Sequence, residues 1–495
     1  MQAGLAVDIV LLTAGALLVV GMAASGLAER LRVPGGLLLL GIGMAVGDDG
    51  MGWIRFDDTD LAQSVAVAAL ALILFEGGLS TRRSELRAAL GPSLALATAG
   101  VVVTAGVVAA VVHLAFGVET TTALLVGSVV ASTDAAAVFA SLRGAPVPAR
   151  PARILSAESG LNDPVAALLT IGVLEAWRQD PSALDWISFG VVQLVGGALI
   201  GVGIGLVAAA VVRRQHGRRM VSPEVLTLAV AGLAYGGAAV VGASGLLAAF
   251  LAGVVLGDRT PRQRLHLIAF HRSLATAAEV GLFLILGLLI FPSELAPVAG
   301  RGLIVAGALV LVARPLAVLV CLVPFRLPRA ELAIVSWAGL RGAVPIVLAT
   351  YAITEDVPGG RFVLNTVFFV VLVSVALQGT TVAALARRLG LVGAPRGATV
   401  LDSVPIETAA GDVVELRLTE ASRLCGRRLR DVPPPAPVRI VSLVRDGDVV
   451  VPDGDSQLRA DDLVLVVVPA SVEDPDADLE AWAAPVEGRE GLDAG

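Results

Sequence analysis

Glu158, Ser159, Asn162 and Asp163 crowd into one short stretch, SAESGLNDPVAALLT at 156–170. The surrounding segment is apolar and long enough to cross a bilayer. Charged side chains at that depth are costly and mark a functional site by default. Helix geometry sorts them into two rows. Residues four apart share a face, so Glu158 stacks over Asn162 and Ser159 over Asp163. Glu158 and Asp163 lie about 140° apart around the axis. Ser159 and Asp163 offer hard oxygen ligands suited to an alkali cation. Glu158 and Asn162 read as a strut that needs a partner. Pro164 removes a backbone donor and frees the Gly160 carbonyl, a further oxygen nearby.

Three more acids sit deep in apolar segments: Glu76 in LFEGGLS, Asp134 in STDAAA and Glu279 in TAAEVGLF. Two bases do so as well, Arg314 and Arg341. Arg341 is flanked by Gly339 and Gly342 and followed by Pro345, a pattern that predicts locally unwound backbone. It is the expected partner of Glu158. Ser132-Thr133-Asp134 predicts a second break of the same kind. Half-helix ends carry partial charge, so an acid at one crossing and a base at the other would neutralise both. Asp134 and Arg341 are therefore read partly as electrostatic supports. Glu279 and Arg314 are expected to be structural. The four histidines show no metal-ligand spacing, and Cys321 and Cys425 lie in segments too different to pair.

These residues need helices across a bilayer to position them. The chain of 495 residues is 56% hydrophobic and 16% charged, against about 25% charged in soluble domains. That composition excludes a soluble enzyme. Apolar windows predict about thirteen spans, near 5–26, 33–48, 61–79, 89–116, 119–141, 153–177, 187–212, 222–242, 244–257, 273–291, 297–324, 330–352 and 362–386. The intervening loops alternate in charge: one set holds 20 arginines and the other 4. Lysine is absent. Basic loops stay in the cytoplasm, which places the N-terminus outside and the C-terminus inside. No removable leader is evident at the start. With an odd count, spans 1–6 and 8–13 become inverted copies, an arrangement that puts a transport site near the midplane. Span 5 then corresponds to span 12, and these carry the two predicted breaks.

Four ordered motifs, LFEGGL at 74–79, ASTDAAAVFASLRG at 131–144, ESGLNDPVA at 158–166 and WAGLRGAV at 337–344, resemble the monovalent cation:proton antiporter-1 family of NhaP type. The resemblance covers nearly all of residues 1–390. It implies an all-α polytopic membrane protein, two inverted repeats with crossed broken helices, and a homodimer in the cytoplasmic membrane. It implies an ion site at Asp163, Ser159, the Thr133 carbonyl and Glu76, with Asp134 close by and an alkali cation held at Asp163 and Ser159. It implies a structural pair of Glu158 and Arg341 with Asn162 bonded to them. The Asn162-Asp163 pairing resembles that of electroneutral exchangers. The wording is most similar to potassium/proton antiporters linked to cell-volume control, with sodium or lithium as the alternative cation. Several members have Asp where this chain has Glu76, and ligand length bears on ion preference. No cofactor and no nucleic acid partner is expected; the surroundings are membrane lipid.

After a linker at 391–398, residues 399–470 read as a small α+β cytoplasmic domain. VVELRLTE at 413–420 predicts a strand, 421–432 a short helix, 438–452 a hairpin turning at Asp446-Gly447, and 456–469 a last strand. The order resembles a TrkA-C domain, which implies regulation of transport and a small regulatory ligand. No G-x-G-x-x-G follows a strand, so NAD binding is not expected. Residues 471–495 are acidic and Pro/Ala/Gly-rich and are expected to be disordered. An intramembrane aspartyl protease would show Gly-x-Gly-Asp on a span, and none occurs. A channel would show a repeated filter loop, also missing. A proton-coupled carrier of another solute stays open.

Overall fold

A bilayer offers backbone groups no partners, so apolar segments there fold as helix. The computed structural model describes residues 12–484, apart from 13–14, 25, 29–34, 55, 57, 82, 135–136, 139–140, 143–146, 179–181, 215–221, 261–263, 392–397, 406–410, 470–471 and 473–474. The expected span 5–26 lies partly outside them. The other expected segments each fall on helix. We number these α1 (Gly35–Val46), α2 (Thr59–Ser80), α3 (83–116), α4 (Thr120–Val129), α5 (Ala149–Arg178), α6 (Leu184–Arg214), α7 (Pro223–Val240), α8 (Gly245–Arg259), α9 (Arg264–Leu288), α10 (Pro292–Phe325), α11 (Arg329–Trp337), α12 (Ala343–Thr354) and α13 (Gly360–Arg388). Among the described residues, seven helices are long and apolar enough to cross a membrane by themselves. α5 is long enough, but its polar residues keep it out of that set.

Both predicted breaks are present. α4 ends at Val129, residues 132–134 are not helical, and helix resumes by 137. α11 ends at Trp337 and α12 starts at Ala343. The helix pairs recur as an inverted repeat requires. α8 packs on α2, and α1 packs on α9; spans 9 and 3 are the counterparts of spans 2 and 10. Small residues permit both close crossings. A Cβ on Gly78 would stand 2.1 Å from the Phe250 carbonyl oxygen, and one on Gly43 would stand 2.5 Å from that of Leu284. α6 and α10 turn leucine and valine outward, including Leu199, Val207 and Leu311. Such a surface suits lipid.

The small domain is a five-stranded sheet in the order β1-β2-β5-β3-β4, from Ala398–Pro405, Gly411–Leu418, Arg439–Arg445, Asp448–Val450 and Leu463–Pro469. Its paired strands are antiparallel. The hairpin turns at Asp446 and Gly447, both with positive φ (53° and 91°), as a two-residue turn requires. Alternate residues of β5, Val464, Val466 and Val468, are buried. Arg445 binds Asp462 with two hydrogen bonds of 2.8 and 2.6 Å, which raises the guanidinium above its usual range. Three expectations need correction. Residues 421–432 form turns and one 3-10 turn, Leu429–Asp431, in place of a helix. β1 was not anticipated. The tail also begins with a helix, α14 (Pro475–Trp482), whose Leu479 and Trp482 are buried in the domain's core. β1 packs against α9.

Candidate functional site

The first break is held by bonds from three sides. Arg341 Nη1 donates to the carbonyls of Ala131 (3.0 Å) and Ser132 (2.5 Å), which follow the end of α4. A cation at a helix C-terminus offsets the partial negative charge there. Asp134 accepts from the Ala137 N–H (3.1 Å), as an N-cap does for the half-helix that follows. The Asp134 N–H donates to the Leu340 carbonyl (2.8 Å), so the two breaks are bonded to each other. From α5, Ser159 Oγ donates to the Thr133 carbonyl (2.9 Å) and Asn162 Nδ2 to Thr133 Oγ1 (2.6 Å).

Glu158 is buried and forms a two-point pair with Arg314, Nη1 to Oε1 and Nη2 to Oε2, the second at 2.9 Å. Arg314 Nη2 also donates to the Val335 carbonyl near the end of α11 (3.2 Å). The expected pair of Glu158 with Arg341 is thus replaced. Arg341 finds its negative charge in the carbonyls after α4. Arg314 reaches Glu158 past Gly339, where a Cβ would stand 2.6 Å from Arg314 Nε. Asn162 is likewise not bonded to that pair; it belongs to Thr133. The signal for Arg314 was in the sequence, since a base within a span needs an acid. Two further supports were missed. Ser374 Oγ accepts from the Arg341 N–H (3.1 Å), and Gln378 Nε2 donates to the Trp337 carbonyl (2.8 Å). Their i, i+4 spacing in the apolar middle of α13 was the available sign.

Asp163 is 5% exposed, and its Oδ1 has no hydrogen-bond partner among the described residues. Asn162 Oδ1 is in the same state. Asp134, Arg341 and the Ser132 hydroxyl are the groups that act on the Asp163 carboxyl. Buried oxygens without a donor are rare, and a proton or a bound cation would satisfy them. Glu76 lies on α2. It accepts from Ser80 Oγ (2.7 Å) and stands 3.8 Å from Arg272 Nε on α9. The structure therefore joins Thr133, Ser159 and Asn162 directly, sets Asp163 and Asp134 beside them, and gives Glu76 partners of its own.

Exposure along α5 shows how this cluster is reached. Ala152, Ser156 and Ser159 follow one face from the N-terminal end and are open in part or in full; Asp163, the next rung, is buried. On α9, Arg272, Thr276 and Glu279 follow one face and are exposed, while Phe283, the next rung, is buried. Both open faces begin at the helix ends that carry the arginine-rich loops. α5 is thus open from that end as far as Ser159 and α9 as far as Glu279, and α2, which carries Glu76, packs against both.

The sodium/hydrogen exchanger transmembrane family matches residues 15–388, and the TrkA-C domain family matches residues 413–474. The chain is 34% identical to the K(+)/H(+) antiporter NhaP of Alkalimonas amylolytica, over 93% of this chain and 81% of that one. It is 35% identical to the K(+)/H(+) antiporter NhaP2 of Shewanella oneidensis, over 92% and 80%. A Na(+)/H(+) antiporter of Synechocystis, NhaS2, is 29% identical over 65% and 61%. In fold, the sodium proton antiporter MjNhaP1 of Methanocaldococcus jannaschii superposes with a TM-score of 0.69 at 24% identity, over 79% of this chain and all of that one. The helical bundle, its paired breaks and the strand domain behind it agree with these matches: the chain belongs to the transmembrane sodium/hydrogen exchanger family, a family of secondary transporters and not of enzymes, and carries a TrkA-C domain.

Proposed function

We propose that the chain exchanges one monovalent cation, potassium in preference to sodium, for one proton, and that Asp163 is the group for which the two compete. The observation that carries this is the unpartnered Oδ1 of buried Asp163, one rung beyond the partly open Ser159 on α5. Such an oxygen is satisfied by a proton or by a cation, and binding one displaces the other. Ser159 and the Thr133 carbonyl supply neighbouring oxygens of the kind an alkali ion accepts. A bare carboxylate crosses a low-dielectric barrier at great cost, so only the loaded forms of Asp163 cross. That couples the two fluxes. Asn162 beside Asp163 adds no second charge, which fits electroneutral exchange. Potassium is favoured by the names of the relatives that match over most of the chain. The thirteen-span count, the homodimer, the outside N-terminus and the cytoplasmic-membrane location belong to the same reading. So does regulation through the TrkA-C domain, supported by the packing of β1 on α9.

The test is cation-driven proton movement in everted vesicles from a host lacking its own antiporters. Potassium, sodium and lithium are each added across a pH series. A potassium response with a bell-shaped pH dependence is expected, and Asp163→Asn should reduce it to background. A sodium- or lithium-only response replaces the cation and keeps the mechanism. Normal exchange by Asp163→Asn overturns the mechanism. Silence toward every cation, with the protein shown to be inserted, points to another solute.

A further inference from the structure

Glu279 has no part in the cluster just described, and its surroundings are unusual for a structural acid. It lies within the apolar half of α9, yet no hydrogen bond or ion pair holds it among the described residues. A strut would be paired, as Glu158 is by Arg314. Glu279 is exposed, and it shares its face of α9 with Arg272, which stands 3.8 Å from Glu76 on α2. It is also the last open rung on its face of α9, above buried Phe283. The charges that act on it are those of Asp134 and Glu76.

The balance of charge around Glu279 is negative. Glu76, Asp134, Asp163 and Glu279 supply four carboxyl groups. Arg272 stands at Glu76 and is largely exposed, and Arg341 is engaged by the carbonyls after α4. A cleft lined by one sign of charge within low-dielectric walls concentrates the opposite ion. α2, which carries Glu76, packs against both α9 and α5, so Glu279 and the buried, unpartnered Oδ1 of Asp163 are on the two helices that flank it.

We propose that Glu279 is a loading carboxylate: an alkali cation entering from the arginine-rich end contacts Glu279 before it reaches Asp163, and Glu279 sets the apparent cation affinity on that side. This rests on the exchange reading above, but it can fail separately. Glu279 does not carry the transported proton; it holds the cation in the open state only.

The experiment uses the full-length protein in everted vesicles and reads the potassium dependence of proton movement at fixed pH. Glu279→Gln should raise the potassium KM about tenfold and leave the maximal rate within about twofold, a loss of about 1.4 kcal/mol in cation binding. Glu279→Asp should restore most of the affinity. A purely structural acid would instead lower the maximal rate or the amount of folded protein, with KM unchanged, and that result overturns the proposal. A second measurement needs no transport. In a Cys425→Ser background, with Cys321 buried, Glu279→Cys should react with a membrane-impermeant maleimide from the arginine-rich side only, and potassium should slow the reaction. Labelling from the opposite side, or none, overturns the proposed route of access. Unchanged KM in Glu279→Gln together with lost exchange in Asp163→Asn would remove Glu279 and leave the exchange reading standing.

Discussion

At the first break the carbonyls that follow α4 accept from Arg341, and Asp134 caps the half-helix that follows. At the second, carbonyls near the end of α11 accept from Arg314 and Gln378, while Ser374 holds the Arg341 N–H. Both breaks thus meet an arginine at a helix C-terminus. They differ in what else they touch. Residues 338–343 of the second break are all buried, and their partners are supports. The first break leaves Asp134 partly open and presents both oxygens of Thr133 to α5. On the proposed function the two crossings therefore differ in role: one borders the cation path and the other anchors it. Substitutions that disturb the first should change exchange, and those that disturb the second alone should change stability.

The largest expected effect on stability is at the Glu158–Arg314 pair. Glu158→Gln or Arg314→Gln leaves one buried charge unpaired, which costs about 3–5 kcal/mol. Removing both, as in Glu158→Leu with Arg314→Met, leaves no unpaired charge and should recover most of that loss. Thermal unfolding of the purified protein reads the difference. Single variants that melt with the parent would show that the second break does not depend on the pair.

Two glycines test the division more sharply. A Cβ on Gly342 would stand 1.9 Å from Asp134 Oδ2, so Gly342→Ala must push Asp134 out of place. Exchange should fall by on the order of 10- to 100-fold, since small displacements at a reacting site are costly. Gly339→Ala presses on Arg314 instead and should lower the melting temperature more than the rate. Equal effects of the two on exchange would erase the distinction between the crossings.

Much of this arrangement was legible in the sequence, because it depends on local spacing. The two rows on α5 follow from four-residue periodicity, and the breaks follow from glycine and proline around Arg341 and from Ser132-Thr133-Asp134. Pairing across helices was not legible. Two arginines and several acids lie within spans, and only the three-dimensional approach past Gly339 decides that Glu158 takes Arg314. The open face that ends at Glu279 is likewise a property of the packed bundle. In the small domain, the hairpin was set by Asp446-Gly447. β1 was hidden because ATVLDSVP has too short an apolar run, and α14 because acidic residues mask its two anchors, Leu479 and Trp482.

The smallest effect is expected at Ser374, which touches the second break alone. Its hydroxyl accepts from the Arg341 N–H and donates to Gln378 Oε1 (2.5 Å), while Gln378 in turn holds the Trp337 carbonyl. Ser374→Ala leaves a buried backbone donor without a partner, at a cost of about 1–3 kcal/mol. The Arg341 side chain keeps its two bonds to the first break. Exchange by the folded protein should therefore stay within about twofold of the parent while the melting temperature falls. A larger loss of exchange at unchanged stability would mean that the main chain at Arg341 governs the cation path as closely as its guanidinium does, and the two crossings would then act as one.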